Sequence, residues 1–309
     1  MRHLLLLVTL LAGCGGKGEP DPPSPPFHYD LPADLAEKSV SYRNLVPSVQ
    51  DQWGFVGTAR CDSLLMTALL GAAGVPIADI HAAENPLEPG KWSRRPEFRD
   101  GTPEPCFPGN SGSSSSRDMT LGLLWFSWAT KDRDIMENLW QYAADHGWQI
   151  GEGDQARTGL RTLRGTLAAE IRALGGESRP VDELVTDPQL IANDGYAAHL
   201  QIMHILLRGE IYGELSPWAR HQIRTLADAN PRSPIMQAAA ARWIGGGYED
   251  RFLAAARAPY WPANRLPTSL DRCGDWLTAE DDKDWLPCDE NEIFSGGDLL
   301  FATWIFTKE

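Results

Sequence analysis

Residues 116–146 read SRDMTLGLLWFSWATKDRDIMENLWQYAADH, and this stretch carries the pattern that decides the fold. From Ser116 to Thr130 almost every side chain is apolar, which predicts a helix that is buried on all sides. A short charged turn follows, and from Ile135 to His146 the apolar residues recur at helical spacing on one face only. The stretch therefore predicts a helical hairpin with a buried inner helix and an amphipathic outer helix.

The same alternation of apolar and amphipathic helices recurs along the chain. Apolar helices are predicted at 61–74, 194–207, 235–244 and 296–306, amphipathic ones at 158–174, 217–230 and 249–257, and weaker helical patterns at 30–38 and 46–52. Two long loop-rich segments, Asp79 to Gly112 and Pro259 to Asn291, interrupt the helices. Since no strand-like alternation is found in the body, we predict an all-α fold built as an array of helical hairpins.

The N-terminus has the pattern of an export signal, with an apolar run from Leu4 to Ala12. The run is about half the roughly 20 residues that a membrane-spanning helix needs. Leu11-Ala12-Gly13-Cys14 resembles the lipobox of bacterial lipoproteins, which implies cleavage before Cys14 and lipidation of its thiol. The alternative is an ordinary signal peptide with an incidental cysteine.

These features predict the domain organisation and the location. Residues 1–13 are the predicted lipoprotein signal peptide, residues 14–29 form a tether rich in proline and glycine, and residues 30–309 make a single all-α domain. The lipobox resemblance implies a lipid anchor in the bacterial cell envelope, on the periplasmic face of the outer membrane or on the cell surface.

Four cysteines remain for the domain of an exported chain, in a compartment where disulfides persist. Three pairings are possible, and we favour Cys61 with Cys106 and Cys273 with Cys288, because each pair brackets a loop-rich segment. A zinc site is the competing interpretation, but the cysteines lack C-x-x-C spacing and no histidine lies beside them. We predict no metal and no other cofactor.

Charge and aromatic content narrow the classes of ligand. The net charge of −14 argues against nucleic-acid binding, because a phosphate groove needs clustered lysines and arginines. The 12 tryptophans are many for this length and suit either a hydrophobic core or the stacking of carbohydrate rings.

From about Val46 to Phe306 the alternation of inner and outer helices resembles the α/α toroid of the six-hairpin glycosidases and related polysaccharide lyases. The chain is short for six full hairpins, so the prediction is an incomplete toroid. The resemblance implies that the inner helices run in one direction, that their N-termini surround one mouth, and that the ligand is a glycan.

Three of the most apolar helices begin with an aspartate, namely Asp62, Asp118 and Asp298. If the helix starts converge, their carboxylates are candidates for the acid and base roles of glycoside hydrolysis. They can equally bind sugar hydroxyls without chemistry. A third alternative is that each aspartate serves only its own helix, because a carboxylate is favoured at a helix N-terminus.

Four further residues are candidates for substrate binding. Arg117 can hold the carboxylate of a uronate in a bidentate contact, or it can form a local ion pair with Asp118. Trp148 can stack on a sugar ring, and Glu152 and Asp154 lie in a polar turn beside it. His199 and His204, in an apolar helix, are expected to be core histidines.

Two hypotheses of function result. The first is a lipid-anchored envelope protein that binds, and in the stronger form of the hypothesis cleaves, a polysaccharide or glycan at the N-termini of the inner helices. The second is a non-catalytic interaction or scaffold lipoprotein in which the aspartates stabilise helix starts. Both expect a membrane partner through the lipid and no nucleic-acid partner.

Overall fold

The computed structural model describes residues 26–56, 63–77, 79–100, 115–149, 163–178, 195–259, 261–267 and 297–308. The predicted signal peptide and most of the tether lie outside these residues. So do the lipidation site, one of the aspartates, two of the substrate-binding candidates and all four domain cysteines: Cys14, Asp62, Glu152, Asp154, Cys61, Cys106, Cys273 and Cys288.

The described residues form ten α-helices and no strand, so the predicted all-α class is confirmed. The α-helices are α1 (Ala33–Leu45), α2 (Ser63–Ala72), α3 (Arg117–Thr130), α4 (Arg133–Asp145), α5 (Arg164–Ala173), α6 (Gly195–Tyr212), α7 (Pro217–Ala229), α8 (Pro234–Trp243), α9 (Tyr248–Arg257) and α10 (Gly297–Thr307). Short 3-10 helices occur at Val46–Val49, Ile80–Ala83 and Pro96–Phe98.

Two helices are longer than the sequence pattern predicts. Helix α1 continues to Leu45, where the pattern indicated an end near Lys38. Helix α6 continues past Leu207 to Tyr212, through Gly209. A glycine normally weakens a helix, but here it allows α6 to approach α8, since a Cβ at Gly209 would lie 2.8 Å from the ring of Trp243.

The first loop-rich segment is ordered in its described part, residues 79–100. Glu84 and Trp92 pair in an isolated antiparallel bridge, and the Glu84 carboxylate accepts hydrogen bonds from the Gly90 amide and from Asn138 Nδ2. Gly90 has a φ of +85°, and a Cβ there would lie 2.1 Å from the Asn138 carbonyl oxygen. The segment is thus fastened to α4.

A histidine fastens the same segment to the turn between α3 and α4. His81 Nδ1 lies 2.9 Å from Glu84 Oε2, and His81 Nε2 lies 3.0 Å from Asp132 Oδ2. The Glu84 hydrogen bond, opposed by partial burial and helped by Asp132, raises the pKa of His81 from 6.5 to about 9. His81 is therefore held as an imidazolium between two carboxylates.

This geometry predicts a pH dependence of stability for the loop contact. Because the pKa of His81 is higher in the folded state, its contribution is complete below about pH 6.5 and is lost as the pH rises through about 9. We expect His81→Phe to lower the free energy of unfolding by about 1–2 kcal/mol below pH 6.5 and to have little effect above pH 9. Urea unfolding at several pH values measures this, and a cost that does not change with pH would contradict it.

Helices α2 and α3 run in the same direction. Gly122 of α3 lies against Leu65 near the start of α2, and Gly71 near the end of α2 lies against Phe126 of α3. Helix α4 turns back through Lys131 and Asp132 and is antiparallel to α3. Helix α5 is antiparallel to α4, since Gly176 lies against Glu137 and Arg164 lies over the ring of Trp148, so α5 runs with α3.

Helices α6 and α10 also share a direction. His199 and Asp298 meet near their beginnings, and Glu210 and Lys308 meet at their ends. Short turns make α7 antiparallel to α6 and α8 antiparallel to α7, so α8 runs with α6. Arg242 of α8 accordingly reaches Glu210.

One further set of contacts relates α3 to α10. The ring of Trp125 lies 5.0 Å from Phe301 and 5.8 Å from Trp304, and Lys131 at the end of α3 acts electrostatically on Lys308. The helices α2, α3, α5, α6, α8 and α10 therefore share one direction, and each packs on the next in a circuit that returns from α10 to α2. Their shared direction gives the array an N-terminal end and a C-terminal end.

The shared direction agrees with what the toroid resemblance implies, and the resemblance itself stays a prediction. Trp125 lies in the core of the array, where its Nε1 donates to the Met203 carbonyl at 3.2 Å. None of the described helices combines the length and the apolar character needed to cross a membrane.

Candidate functional site

The N-terminal end of the array brings the starts of α2 and α3 together. Arg94 Nη2 donates to Ser116 Oγ at 3.0 Å, and the Ser116 hydroxyl donates to Asp118 Oδ1. The Arg94 carbonyl accepts from the Leu64 amide, so the same residue also contacts the start of α2. Asp118 is buried in the first turn of α3. Arg94 and Ser116 thus hold the Asp118 carboxylate in position at the start of α3.

Asp298 occupies the corresponding position in α10 and lies beside a histidine of α6. His199 Nε2 is 3.7 Å from Asp298 Oδ1, and the two residues are 4% and 2% exposed. The distance is longer than a hydrogen bond, but it places the carboxylate directly beside the imidazole ring. A histidine beside a carboxylate can give or take a proton, which is the chemistry of a general acid or base.

Arg117, the first residue of α3, is half-buried. The local ion pair that the sequence allows for Arg117 stays a prediction. Its guanidinium helps to lower the pKa of His204. The other interpretation, contact with a ligand carboxylate, stays a prediction.

Trp148 follows α4 and lies at the same N-terminal end of the array. Its backbone is left-handed, with a φ of +65°, directly after Gly147 with the same value. The ring packs edge-on against Trp140 at 4.7 Å, and the Arg164 guanidinium lies 4.6 Å from its centre. Because Arg164 occupies one side of the half-buried ring, a stacking sugar would be confined to the remaining surface.

A second group of polar residues lies inside the array between α3, α5 and α6. Thr166 Oγ1 is 2.6 Å from His204 Nε2, and both residues are buried. Burial, with the nearby cations Arg208 and Arg117, lowers the pKa of His204 to about 3. His204 is therefore a neutral core histidine, in agreement with the sequence-based expectation.

Glu170 lies one helical turn after Thr166 and is fully buried. Neither carboxyl oxygen has a hydrogen-bond partner among the described residues, and the nearby Ser127 hydroxyl donates instead to the Asp132 carbonyl. Burial raises the pKa of Glu170 well above its ordinary value, opposed in part by Ser127 and Lys131. Glu170 is thus a buried acid without a hydrogen-bond partner among the described residues, and Ser127 and Lys131 are the neighbours that favour its charged form.

The structure places Arg117, Asp118, Trp148 and Asp298 at one end of the array. Asp118 and Asp298 have separate partners, Ser116 and His199. Three residues of this region were not predicted from the sequence as functional candidates: Arg94, Glu170 and His199. A signal existed for Glu170, which follows Leu163 by seven residues and so occupies an apolar position of α5.

Within the described ranges no group of three or more histidine, cysteine, aspartate or glutamate side chains is arranged to hold a metal ion. Comparisons of the chain with protein-family models, with curated proteins and with solved structures found no match.

Proposed function

We propose that this protein is a lipid-anchored protein of the bacterial cell envelope that binds a polysaccharide or glycan at the N-terminal end of its parallel helices. The observation that supports the proposal is the shared direction of α3, α6 and α10. It puts Asp118, the His199 and Asp298 pair and Trp148 at the same end. Carboxylates suit the hydroxyl groups of a sugar, and an aromatic ring suits its apolar face.

Each group would have a separate role in binding. Carboxylates accept hydrogen bonds from sugar hydroxyls, and Arg117 would pair with the carboxylate of an acidic sugar. The half-buried ring of Trp148 offers an apolar surface for the hydrogen-bearing face of a sugar ring. The terminal N-H groups of the parallel helices would add a positive field that favours an acidic glycan.

If the bound glycan is cleaved, His199 would give a proton to the glycosidic oxygen as its bond to the anomeric carbon breaks, and Asp298 would hold the imidazole ring in position. A positioned acid or base of this kind contributes about 100-fold to 10,000-fold to a rate. Asp118, held by Ser116, would accept a proton from the water molecule that attacks the anomeric carbon.

Glycan binding by the full-length chain carrying Cys14→Ser, which cannot be lipidated, tests the proposal. We expect Asp298→Asn and His199→Gln to weaken the binding of a responsive glycan by at least about tenfold, the scale of one lost charge-assisted hydrogen bond. Asp134→Asn is the matched control, because Asp134 is also an acid in the first turn of a helix but lies at the C-terminal end of the array. The unsubstituted chain must bind at least one member of the glycan panel, and a failure to do so refutes the proposal.

The second candidate function is a scaffold lipoprotein without a glycan site. It is favoured by the burial of Asp118 and Asp298 in first helical turns, where a carboxylate stabilises its own helix. In that case Asp118→Asn and Asp298→Asn lower the melting temperature without changing any ligand response. Melting curves recorded with the binding data separate the two functions.

A further inference from the structure

The C-terminal end of the array carries tryptophans that are each covered by a lysine. Lys131 Nζ lies 3.8 Å from the ring centre of Trp128 at the end of α3, and Lys308 Nζ lies 4.8 Å from that of Trp304 at the end of α10. Both rings are half-buried. The pairs are neighbours, because Trp304 packs on Trp125, one turn before Trp128. We call these four residues the Trp–Lys face.

Helix α6 ends beside this face with a third pair of the same kind. The Arg208 guanidinium lies 5.8 Å from the ring centre of Tyr212, and Tyr212 is 46% exposed. Glu210, two residues earlier, binds Lys308 Nζ at 2.6 Å and so ties the end of α6 to the end of α10. Three adjacent helices thus end in an exposed or half-exposed aromatic ring with a cation over it.

The N-terminal chain reaches the domain at the same end. The Phe27 amide donates to the Arg242 carbonyl at the end of α8, and the Tyr29 ring stacks on Phe306 of α10 at 4.8 Å. Phe27 is itself 39% exposed. Twelve residues separate Cys14 from Phe27. They can span at most about 45 Å, so a lipid on Cys14 would keep this end of the domain within that distance of a bilayer.

This end of the array carries charges of both signs, and the exposed Asp134, in the first turn of α4, is one of its acids. Two acids beside the face are already bound by cations, Glu210 by Arg242 and Lys308 and Asp132 by His81. Glu214 is exposed near Tyr212 and opposes the cations. Lys131 is exposed, and its charge is available at the surface.

Tryptophan, tyrosine and lysine together suit one kind of partner. Amphipathic rings partition to the level of lipid headgroups, and Lys131 beside them can extend its ammonium towards lipid phosphates, whereas Lys308 is bound to Glu210. An anionic bilayer attracts each such cation by about 1 kcal/mol.

We propose that the Trp–Lys face docks on the anionic phospholipid surface to which the protein is anchored. The N-terminal end, with Asp298 and His199, then points away from the bilayer. The inference rests on the lipid anchor of the proposed function, and it adds an orientation that the anchor alone does not impose. The docked domain presents its candidate site to glycans at a distance from the membrane.

Vesicle co-sedimentation of the full-length Cys14→Ser chain tests the docking without help from the lipid. We expect the chain to bind phosphatidylglycerol vesicles, to bind phosphatidylcholine vesicles far less, and to be released by salt. Lys131→Glu should weaken the binding about 30-fold, since it replaces one attraction by one repulsion, and Lys131→Arg should retain it. Arg232→Glu is the matched control, because it makes the same change of charge in an exposed residue at the opposite end.

Equal binding by the unsubstituted and Lys131→Glu chains, or no vesicle binding by the unsubstituted chain, would overturn the proposal. So would binding to native membranes that protease treatment abolishes, because the partner would then be a protein. The proposed function is judged separately, by the mass of the lipidated Cys14 in the unmodified protein and by glycan binding of the same Cys14→Ser chain. A failure of lipidation or of glycan binding does not change the vesicle result.

Discussion

Glu210→Ala is expected to lower the free energy of unfolding by about 3–5 kcal/mol, the cost of breaking a buried ion pair by removing one partner. Glu210 is 6% exposed in its side chain and joins three helix ends. Arg242 Nε donates to its Oε1 at 2.6 Å, and Lys308 Nζ donates to its Oε2 at 2.6 Å. Removing the carboxylate leaves two cations at the C-terminal ends of α6, α8 and α10 without their counter-charge.

Urea unfolding of the variant, with the slope of the transition compared between proteins, measures this loss. Asp228→Asn is the matched control, because Asp228 also binds an arginine, Arg251, at 2.6 Å but is 53% exposed in its side chain. We expect only a small change in the control, since water screens an exposed pair. Equal losses of stability in the two variants would contradict the stabilisation that we assign to the buried contacts of Glu210 with Arg242 and Lys308.

A double variant distinguishes the loss of the pair from damage to packing. Replacing a buried ion pair by apolar residues of similar volume is often neutral or stabilising. We therefore expect Glu210→Met with Arg242→Met to be more stable than Glu210→Met alone. Additive losses would mean that the two side chains act independently.

Most of the fold could be predicted from the sequence because helix pairs alternate in a simple pattern. The run from Met119 to Trp125 has no polar face, which predicts that α3 is buried. Ser216 and Ser233, each followed by a proline, cap the starts of α7 and α8. The order in the segment 79–100 could not be predicted. It depends on tertiary contacts of Glu84 and His81 with α4 and the turn before it, which leave no periodic signal.

Only part of the candidate site could be predicted from the sequence, again because contacts between distant elements leave no periodic signal. A carboxylate at a helix start is visible in the sequence, as at Asp118 and Asp298. Its partner in another element is not. His199 lies 99 positions before Asp298, and only the shared direction of α6 and α10 brings them together. Arg94 likewise reaches Ser116 from a segment whose composition suggested only a loop.

Glu170→Met is expected to raise the free energy of unfolding by about 1–3 kcal/mol, the cost of a buried polar group whose hydrogen bonds are not made. Glu170 is fully buried in α5, and neither of its carboxyl oxygens has a hydrogen-bond partner among the described residues. Methionine has a similar length and adapts its shape to the space available, so the substitution removes the polar group without opening a cavity.

The same residue should make stability depend on pH. Because burial raises the pKa of Glu170 in the folded state, the unfolded chain loses its proton first as the pH rises above about 4.5. From there up to the raised pKa the folded state binds the extra proton, and stability falls by about 1.4 kcal/mol per pH unit. The charged carboxylate that forms at higher pH would lie in the protein interior, where Ser127 and Lys131 are the described residues that favour it.

Glu170→Gln separates the titration from the packing, because the amide keeps the shape and does not ionise. We expect the difference in stability between this variant and the unsubstituted protein to grow as the pH rises from about 5 towards the raised pKa of Glu170, as the linkage requires. The difference cancels the contribution of His81, which also declines with rising pH but is common to both proteins. A difference that stays constant over this range would mean that Glu170 titrates normally, and therefore that it has a partner or reaches water.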